Sequence, residues 1–347
     1  MLNTLPGERP KMLSFTDSDG VVVEGLELRN SPSFHVTFKN THNVLVQDMR
    51  IEVDWRAQER YFRAHHPRGG EVGADIVPWL PMFPFNTDGL DPNGQNYHIR
   101  NISVSNYDDV VAVKPGYLHR PGQVCTKNIT VEDSYAHLGV GMSIGSVPPN
   151  SRGHCIEDVT FRNIVFDRPL KMIYVKTNSQ EERGPAGTGY VRNVTYENIV
   201  GRDPVLWPVY IGPQQQRQPD GSGDGIWPPT QPLITIDGVT LRNVTTTGDL
   251  VGAGVIRCDE RNPCRNIVLE DVHLSGWWPG DGYICQAAYG ECVDCEPRPH
   301  CLRPMRDIGA AETAARRVAD WAGNAGLKAQ LWLAEEAAAA AAASASL

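Results

Sequence analysis

Three aspartates and an asparagine lie at a spacing that could serve acid–base chemistry. Asn86 stands two residues before Asp88, and the adjacent pair Asp108 and Asp109 follows 20 residues after Asp88. Carboxyl groups held close together raise one another's pKa, so one of them can keep a proton while others stay ionised. Glycosidic bond hydrolysis needs this division between an acid and a base. Because a single Asp is common in turns, the hypothesis depends on a fold that brings the three together.

A short alternating phrase recurs seven times and predicts the elements that would position these residues. Each copy has the period of two that is typical of a strand with one buried face, and it is rich in β-branched residues. The steps between copies are 58, 27, 30, 35, 45 and 28 residues. We interpret the first step as two coils and the longer ones as coils with inserted loops. The pivots of the copies are Val44, Ile102, Ile129, Val159, Val194, Val239 and Ile267.

Repeated short strands without helical periodicity between residues 19 and 285 predict an all-β solenoid, a parallel β-helix. Leucine-rich repeats have similar periods, but they need leucines at fixed offsets and a helical return, which this sequence lacks. Coils of a β-helix stack about 4.8 Å apart, so residues one coil apart become neighbours. The 33 Gly and 26 Pro among 347 residues suit a loop-rich fold.

We predict one β-helix domain over residues 1–301 and a low-complexity, Ala-rich tail over residues 302–347 that is helical or disordered. No apolar run approaches the length of about 20 residues that a membrane span needs. The net charge of −9 argues against nucleic acid as a partner. Residues 56–68 carry four Arg and two His, which could form a local basic patch for an anionic polymer or a solvated loop.

Eight cysteines are typical of an extracellular protein. Six of them follow residue 257, and we expect disulfides that cap the last coils. A four-thiolate zinc site is the alternative, since Cys292 and Cys295 have the spacing such sites use. Four sequons could carry glycans, or their Asn residues could form an internal ladder at a coil corner. The sequons begin at Asn101, Asn128, Asn193 and Asn243.

These patterns resemble one known family, the polygalacturonase-type glycoside hydrolases of family 28, which act on pectin through a right-handed parallel β-helix. The resemblance extends over most of residues 9–285. The segments that carry it, in the order in which the family has them, are residues 30–32, 86–92, 108–114, 139–146 and 174–177.

The resemblance implies a role for each matching residue. Asp108 would be the general acid, and Asp88 with Asp109 would activate the attacking water. The family inverts configuration at the anomeric carbon, so the acid would lie about 6.5–9.5 Å from the base carboxylates. Asn86 would orient the acids by hydrogen bonding, and Lys176 would bind a galacturonate carboxylate.

Two positions depart from the family pattern. Where the family has Gly-His-Gly this chain has Val140 as the central residue, and His137 is a candidate substitute. A three-residue shift along a strand reverses the side-chain face, however, which favours a structural or solvent-facing role for His137. Where the family has Arg-Ile-Lys this chain has Tyr174, which offers a stacking surface and a hydroxyl but no bidentate guanidinium. A less acidic pectic region, such as one containing rhamnose, is therefore a plausible substrate.

We therefore expect a secreted, monomeric hydrolase of pectic polysaccharide. Its signal peptide and first coils would precede this chain, because residues 7–10 resemble a point inside the usual family sequence. The alternatives are a non-catalytic β-helix that binds cell-wall polysaccharide, a rhamnogalacturonan-type hydrolase and a lyase that uses calcium. The sequence contains no nucleotide, haem or flavin signature, so we expect no cofactor, no metal, and no nucleic-acid or membrane partner.

Overall fold

The computed structural model describes residues 9–54, 86–179, 187–215, 228–249, 252–276, 282–307 and 309. Within these ranges it is a right-handed parallel β-helix of 21 strands, which confirms the predicted fold class. Each full coil contributes a short strand to one sheet and a long strand to the other. The basic segment at residues 56–68 lies outside the described residues, as does the predicted Ala-rich tail of residues 302–347 except for residues 302–307 and 309.

Sheet 1 contains the short strands and has nine members, all paired in parallel. Its order follows the chain. The strands are β1 (Leu13–Thr16), β4 (Val36–Lys39), β6 (Leu90–Asp91), β8 (Val111–Val113), β11 (Met142–Val147), β13 (Ile173–Thr177), β15 (Val209–Gln214), β17 (Gly254–Arg257) and β19 (Tyr283–Gln286).

Sheet 2 contains the long strands and has twelve members. They are β2 (Val22–Glu24), β3 (Glu27–Arg29), β5 (Thr41–Glu52), β7 (Gly94–Asn106), β9 (Gly116–Tyr117), β10 (Thr126–Leu138), β12 (His154–Asp167), β14 (Gly189–Arg202), β16 (Ile234–Asp249), β18 (Cys264–Gly276), β20 (Ala288–Glu296) and β21 (Leu302–Arg303). All pairs are parallel except β9 with β12. A single 3-10 turn, Met305–Asp307, follows β21, and no helix in the described ranges is long and apolar enough to cross a membrane.

The long strands of sheet 2 bend at two columns of Asn and Asp residues. These residues have φ between 49° and 62°, a left-handed conformation that Asn and Asp tolerate better than other non-glycine residues. Neighbouring coils are joined along each column, as where Asn198 Nδ2 donates to Asn163 Oδ1 at 2.9 Å. The predicted Asn ladder therefore exists, but the four sequon residues are exposed rather than internal. They are also divided between the two columns.

The register corrects how the first copies of the repeat align. Val44 pairs with Tyr97, and Met49 pairs with Ile102. The copy at Val44 follows the column that contains Asn43 and Asn96, whereas the copy at Ile102 follows the second column, which contains Asp48 and Asn101. The prediction that the first step holds two coils is wrong, because β5 and β7 are direct neighbours. The phrase matched the other corner because a polar residue followed by an apolar strand occurs at both corners, five residues apart. The single coil was taken for two because the connection from β5 to β7, residues 53–93, is much longer than the next one, residues 107–125.

Apolar side chains fill the bore of the solenoid. Phe161 and Tyr196, in register on β12 and β14, stack with ring centroids 4.8 Å apart and have no exposed surface. Burying a side chain of this size contributes about 1.5–3 kcal/mol. The same position is occupied along the axis by Val46, Ile99, Val131, Leu241 and Leu269.

Four disulfides cross-link the chain, and they account for all eight cysteines. Cys125 pairs with Cys155, and the other three disulfides lie in the last coils as predicted. The zinc alternative is wrong, because its four thiols are bonded in pairs. The late disulfides are Cys258–Cys264, Cys285–Cys301 and Cys292–Cys295.

Candidate active site

The acidic residues lie where strands of sheet 1 begin. Asp88 precedes β6, and Asp108 with Asp109 precedes β8. The Gly89 N–H donates to the Asp109 carbonyl at 2.9 Å, so the two segments lie side by side on neighbouring coils. Parallel strands begin at the same edge of a sheet, which is why residues 20 positions apart in sequence meet here.

The three predicted carboxyl groups converge. Asp88, Asp108 and Asp109 each place one carboxyl oxygen within 4.8 Å of those of the other two. All three residues are buried, with at most 3% of their surface exposed. Their contacts are to charged and polar groups, so the cluster is distinct from the apolar bore.

The predicted separation of 6.5–9.5 Å between acid and base is wrong. Asp108 and Asp109 are adjacent in sequence, and Asp88 is one coil away, at the spacing of neighbouring strands of about 4.8 Å. Oxygens at the observed separation of up to 4.8 Å are close enough to share one water. A water with hydrogen bonds of about 2.8 Å at a tetrahedral angle joins oxygens roughly 4.6 Å apart.

Asp109 is held in its ionised form. Lys176 Nζ donates to its Oδ2 at 2.8 Å, and the Ser143 hydroxyl donates to its Oδ1 at 2.5 Å. Burial alone would raise the pKa of Asp109, but the charges of Lys176 and Lys114 and the two hydrogen bonds outweigh it and lower the pKa. Asp109 is therefore the carboxylate best suited to accept a proton from water.

Asp108 has the opposite tendency. Burial, followed by the negative charge of Asp109, raises the pKa of Asp108. Backbone N–H groups fix both of its oxygens: Asn86 donates to Oδ2 at 2.8 Å and Asp109 donates to Oδ1 at 2.9 Å. Asn86 thus contacts an acid through its backbone, while its side-chain oxygen accepts a hydrogen bond from Arg9 at 3.1 Å.

Asp88 shares its surroundings with two residues that the sequence analysis did not single out, Asp91 and Lys114. Burial, then the charges of Asp91 and Asp108, raise the pKa of Asp88 well above its ordinary value. Burial also raises the pKa of Asp91 to about 6, against the opposing charge of Lys114. Both residues lie inside segments that carry the family resemblance, at 86–92 and 108–114. Their convergence became visible only with the register of β6 and β8.

Asn106 fastens the two acid-bearing segments together. Its side-chain amide donates to the Thr87 carbonyl at 2.9 Å and to the Asp109 carbonyl at 2.8 Å. Gly139 packs against it so closely that a Cβ there would lie 2.6 Å from Asn106 Oδ1. With φ at 75°, Gly139 tolerates no other residue without strain.

The position at which the family has a histidine is apolar here. Val140 is fully buried in a cluster that includes Leu170, Tyr174 and Tyr210. His137 lies on β10 in sheet 2, where its Nδ1 is 3.0 Å from Asp167 Oδ2. The hydrogen bond that the described residues show for the His137 side chain is therefore to Asp167, not to any of the three acids.

Tyr174 lies on β13, between Ser143 and Tyr210 of the flanking strands. Its ring centroid is 4.2 Å from Lys171 Nζ and 4.3 Å from Lys176 Nζ, and it is 2% exposed. Two ammonium groups therefore lie beside the position where the family has a guanidinium.

Two groups of side chains in the described residues have ligand atoms close enough to hold a metal ion. One consists of Asp88, Asp108 and Asp109, where Lys176 and Lys114 already supply positive charge. The other is an exposed group of Asp271, His273 and Asp294 on the last coils.

A parallel β-helix with a cluster of buried carboxyls at one strand edge is the arrangement expected of a glycoside hydrolase. The family model for glycosyl hydrolases family 28 matches residues 3–292. The chain belongs to this family.

Relatives agree with this membership, and a solved structure shares the fold. The chain is 29% identical over 288 residues to a probable rhamnogalacturonase B of Aspergillus fumigatus, covering 81% of this chain and 44% of the relative. It is 26% identical over 277 residues to a polygalacturonase of Cryptomeria japonica, covering 77% and 43%. It therefore spans less than half the length of both relatives. The endo-xylogalacturonan hydrolase of Aspergillus tubingensis has the same fold, with a TM-score of 0.55 at 16% identity over 85% of this chain and 68% of that one.

Proposed function

We propose that this protein hydrolyses glycosidic bonds in pectic polysaccharide, with Asp108 as general acid and Asp109 as general base. The convergence of buried carboxyls within 4.8 Å carries the proposal. The pKa of Asp108 is raised and that of Asp109 is lowered. One carboxyl can thus hold a proton for the leaving oxygen while its neighbour accepts one from water.

Asp88 has a supporting role in this scheme. Its raised pKa favours a protonated carboxyl in the free site, so Asp109 is the better base of the two candidates. Its Oδ1 is buried without a hydrogen-bond partner among the described residues. The Asp88 carboxyl lies close to that of Asp109, so the two can hold the attacking water between them. Attack from that position, opposite the bond that Asp108 protonates, would invert the anomeric carbon.

We further propose that the substrate is a pectic region of alternating acidic and neutral sugars, as in rhamnogalacturonan. Tyr174 and Val140 replace the arginine and histidine of the family pattern, so no guanidinium stands at position 174, and the positive charge that the described residues place beside the acids comes from the ammonium groups of Lys176 and Lys114. A relative at 29% identity is described as a probable rhamnogalacturonase. The four disulfides support an extracellular location for this activity.

The alternative is a β-helix that binds cell-wall polysaccharide without cleaving it. The apolar side chain of Val140 favours this reading, because no imidazole stands beside the acids at that position. Loss of the histidine would lower the rate of hydrolysis but would not prevent it, because the two carboxyls that the reaction requires are both present.

New reducing ends released from rhamnogalacturonan and from homogalacturonan would distinguish these functions. We expect release from rhamnogalacturonan, and we expect Asp108→Asn to lower the rate about 10²–10⁴-fold. Asp133→Asn, at an exposed corner, is the matched control. Proton NMR of the first product would report its anomeric configuration, which we expect to be inverted.

Three results would contradict the proposal. Binding without release of reducing ends would favour the non-catalytic β-helix. Unsaturated products that absorb in the ultraviolet would indicate a lyase. Activity that Asp108→Asn leaves unchanged would remove Asp108 from the mechanism.

A further inference from the structure

Lys114 lies beside three buried carboxyl groups. Its Nζ is 3.4 Å from Asp88 Oδ2, 3.6 Å from Asp91 Oδ2 and 4.0 Å from Asp109 Oδ2. Its side chain is 31% exposed, whereas those three side chains are at most 6% exposed. The Lys114 N–H donates to the Pro92 carbonyl at 2.9 Å, which fixes the end of β8 beside the end of β6. A single ammonium thus bridges three buried acids from the solvent side.

Charge cannot be balanced if every acid ionises. The acid cluster, defined as Asp88, Asp91, Asp108 and Asp109, faces only the ammonium groups of Lys114 and Lys176 in the described part of the chain. Full ionisation would leave two uncompensated negative charges in a buried site, which is costly. Among the described residues this balance favours a cluster that retains a proton, in agreement with the raised pKa values of Asp88, Asp91 and Asp108.

Two oxygens indicate where such a proton resides. Asp88 Oδ1 and Asp91 Oδ1 are both buried, and neither has a hydrogen-bond partner among the described residues. A buried carboxylate oxygen without a hydrogen-bond partner destabilises the ionised form of its carboxyl group. The Asp88 and Asp91 carboxyls lie within hydrogen-bonding reach of each other, so a proton on one of them can be donated to the other.

We propose that Lys114 and Asp91 are positioning residues of the acid cluster: the ammonium holds Asp88, Asp91 and Asp109 together, and Asp91 shares one retained proton with Asp88. The catalytic consequence rests on the proposed hydrolase function, but the shared proton does not. Asp91 touches no reacting atom in this scheme and acts through Asp88.

Other groups also face the cluster from the strands packed against it. None of these other groups forms an ion pair with Asp91 within the described ranges, where Lys114 is its partner. Burial lowers the pKa of one neighbour, His35, so it adds no positive charge at neutral pH. The facing groups are His35 before β4, Asn86 before β6, Ser143 on β11, Lys176 on β13 and Tyr196 on β14.

Substitutions at the two positions should move the titration of the cluster in opposite directions. Lys114→Met removes a positive charge, so the pKa of Asp91 should rise by about one to three units. Lys114→Arg keeps the charge and should preserve the pKa. Asp91→Asn removes a negative neighbour, so the pKa of Asp88 should fall. The acidic limb of the kcat/KM profile reports the ionisation of Asp109, which feels the same charges, and should move upward in Lys114→Met and downward in Asp91→Asn.

The experiment is a carboxyl titration by ¹³C NMR of aspartate-labelled protein, in parallel with the pH profile of kcat/KM. Asp88→Asn and Asp91→Asn assign the signals. Lys127→Met is the matched control, because Lys127 pairs with Glu157 at 3.9 Å on the surface. We expect the control to titrate as the wild type does. Circular dichroism establishes that each variant is folded, and Asp91→Asn and Lys114→Arg test the proposal if Lys114→Met does not fold.

The titration separates this proposal from the proposed function. A higher pKa of Asp91 in Lys114→Met, with an unchanged pKa in Lys114→Arg, would support the positioning role. It would do so even if the wild type cleaves no pectic polymer, a result that would refute only the hydrolase function. An unchanged titration of Asp91 in folded Lys114→Met would overturn the positioning role, whatever the activity. A wild-type Asp91 that titrates near its ordinary value would overturn it as well.

Discussion

The substitution Lys176→Met should destabilise the protein by leaving a buried carboxylate without its partner. Lys176 Nζ lies 2.8 Å from Asp109 Oδ2, and both side chains are only 2% exposed. Methionine replaces most of the lysine stem, so the packing changes little. Removing one partner of a buried ion pair costs about 3–5 kcal/mol. We expect the lower end of this range, because Lys114 remains 4.0 Å from Asp109.

The loss should depend on pH with a definite sign. In the wild type the pKa of Asp109 is lowered, so its contribution to stability is present above the pKa of the unfolded chain, about 3.9, and is lost as the pH falls through the folded value. In Lys176→Met we expect the pKa of Asp109 to lie above the unfolded value. The carboxylate then destabilises the fold as the pH rises. The difference between variant and wild type is therefore largest at neutral pH and shrinks toward pH 4.

Urea unfolding followed by circular dichroism at pH 7 and pH 4 would measure this difference. Adding Asp109→Asn to Lys176→Met should restore part of the stability at pH 7, because the unpaired charge is then absent. Lys127→Met, which breaks an exposed pair, should cost less than about 1 kcal/mol. If Lys176→Met lowers the free energy of unfolding by the same amount at both pH values, the electrostatic reasoning is refuted, and lost packing is the cause instead.

Three further predictions follow from the geometry. Asp91→Asn should raise the free energy of unfolding at pH 7 by up to about 3 kcal/mol and should leave it unchanged at pH 4. The reason is that folding raises the pKa of Asp91 from 3.8 to about 6, so ionising Asp91 destabilises the fold as the pH rises above 3.8. Urea unfolding at several pH values tests this. Asn106→Ala should lower kcat about 10–100-fold with little change in KM, because it unfastens the acid-bearing segments; steady-state kinetics on pectic polymers measure both. Asn198→Ala should cost about 1–2 kcal/mol in thermal unfolding, because it removes a corner hydrogen bond and strains a residue with φ of 54°, whereas Asn198→Gly should cost less.

The fold could be predicted because short segments of the sequence are enough to reveal its repeat. Alternating β-branched residues specify strands, and a period in the range of one coil specifies stacking. The exact alignment could not be predicted, because the two corners of each coil carry the same polar-then-apolar phrase. Only the pairing of Val44 with Tyr97 shows that the phrase at Ile102 belongs to the second corner.

The site was predictable to the same degree. Asp88, Asp108 and Asp109 were identified from their spacing, since one coil of separation in sequence means adjacency in space. The positions of Lys114 and Asp91 depend on which side chains point outward at the ends of β6 and β8, which spacing alone does not give. The distance between acid and base was mispredicted for a related reason: a general rule for inverting enzymes took the place of the coil spacing.

Hydrolysis in water enriched with ¹⁸O tests the assigned chemistry most directly. With rhamnogalacturonan as substrate, we expect each cleavage to place one ¹⁸O at the new reducing end, detected by mass spectrometry of early products. Asp109→Asn should lower the rate of incorporation about 10²–10⁴-fold, because the water then lacks its base. Products without the label, or incorporation as fast in Asp109→Asn as in the wild type, would contradict a hydrolase that uses this aspartate.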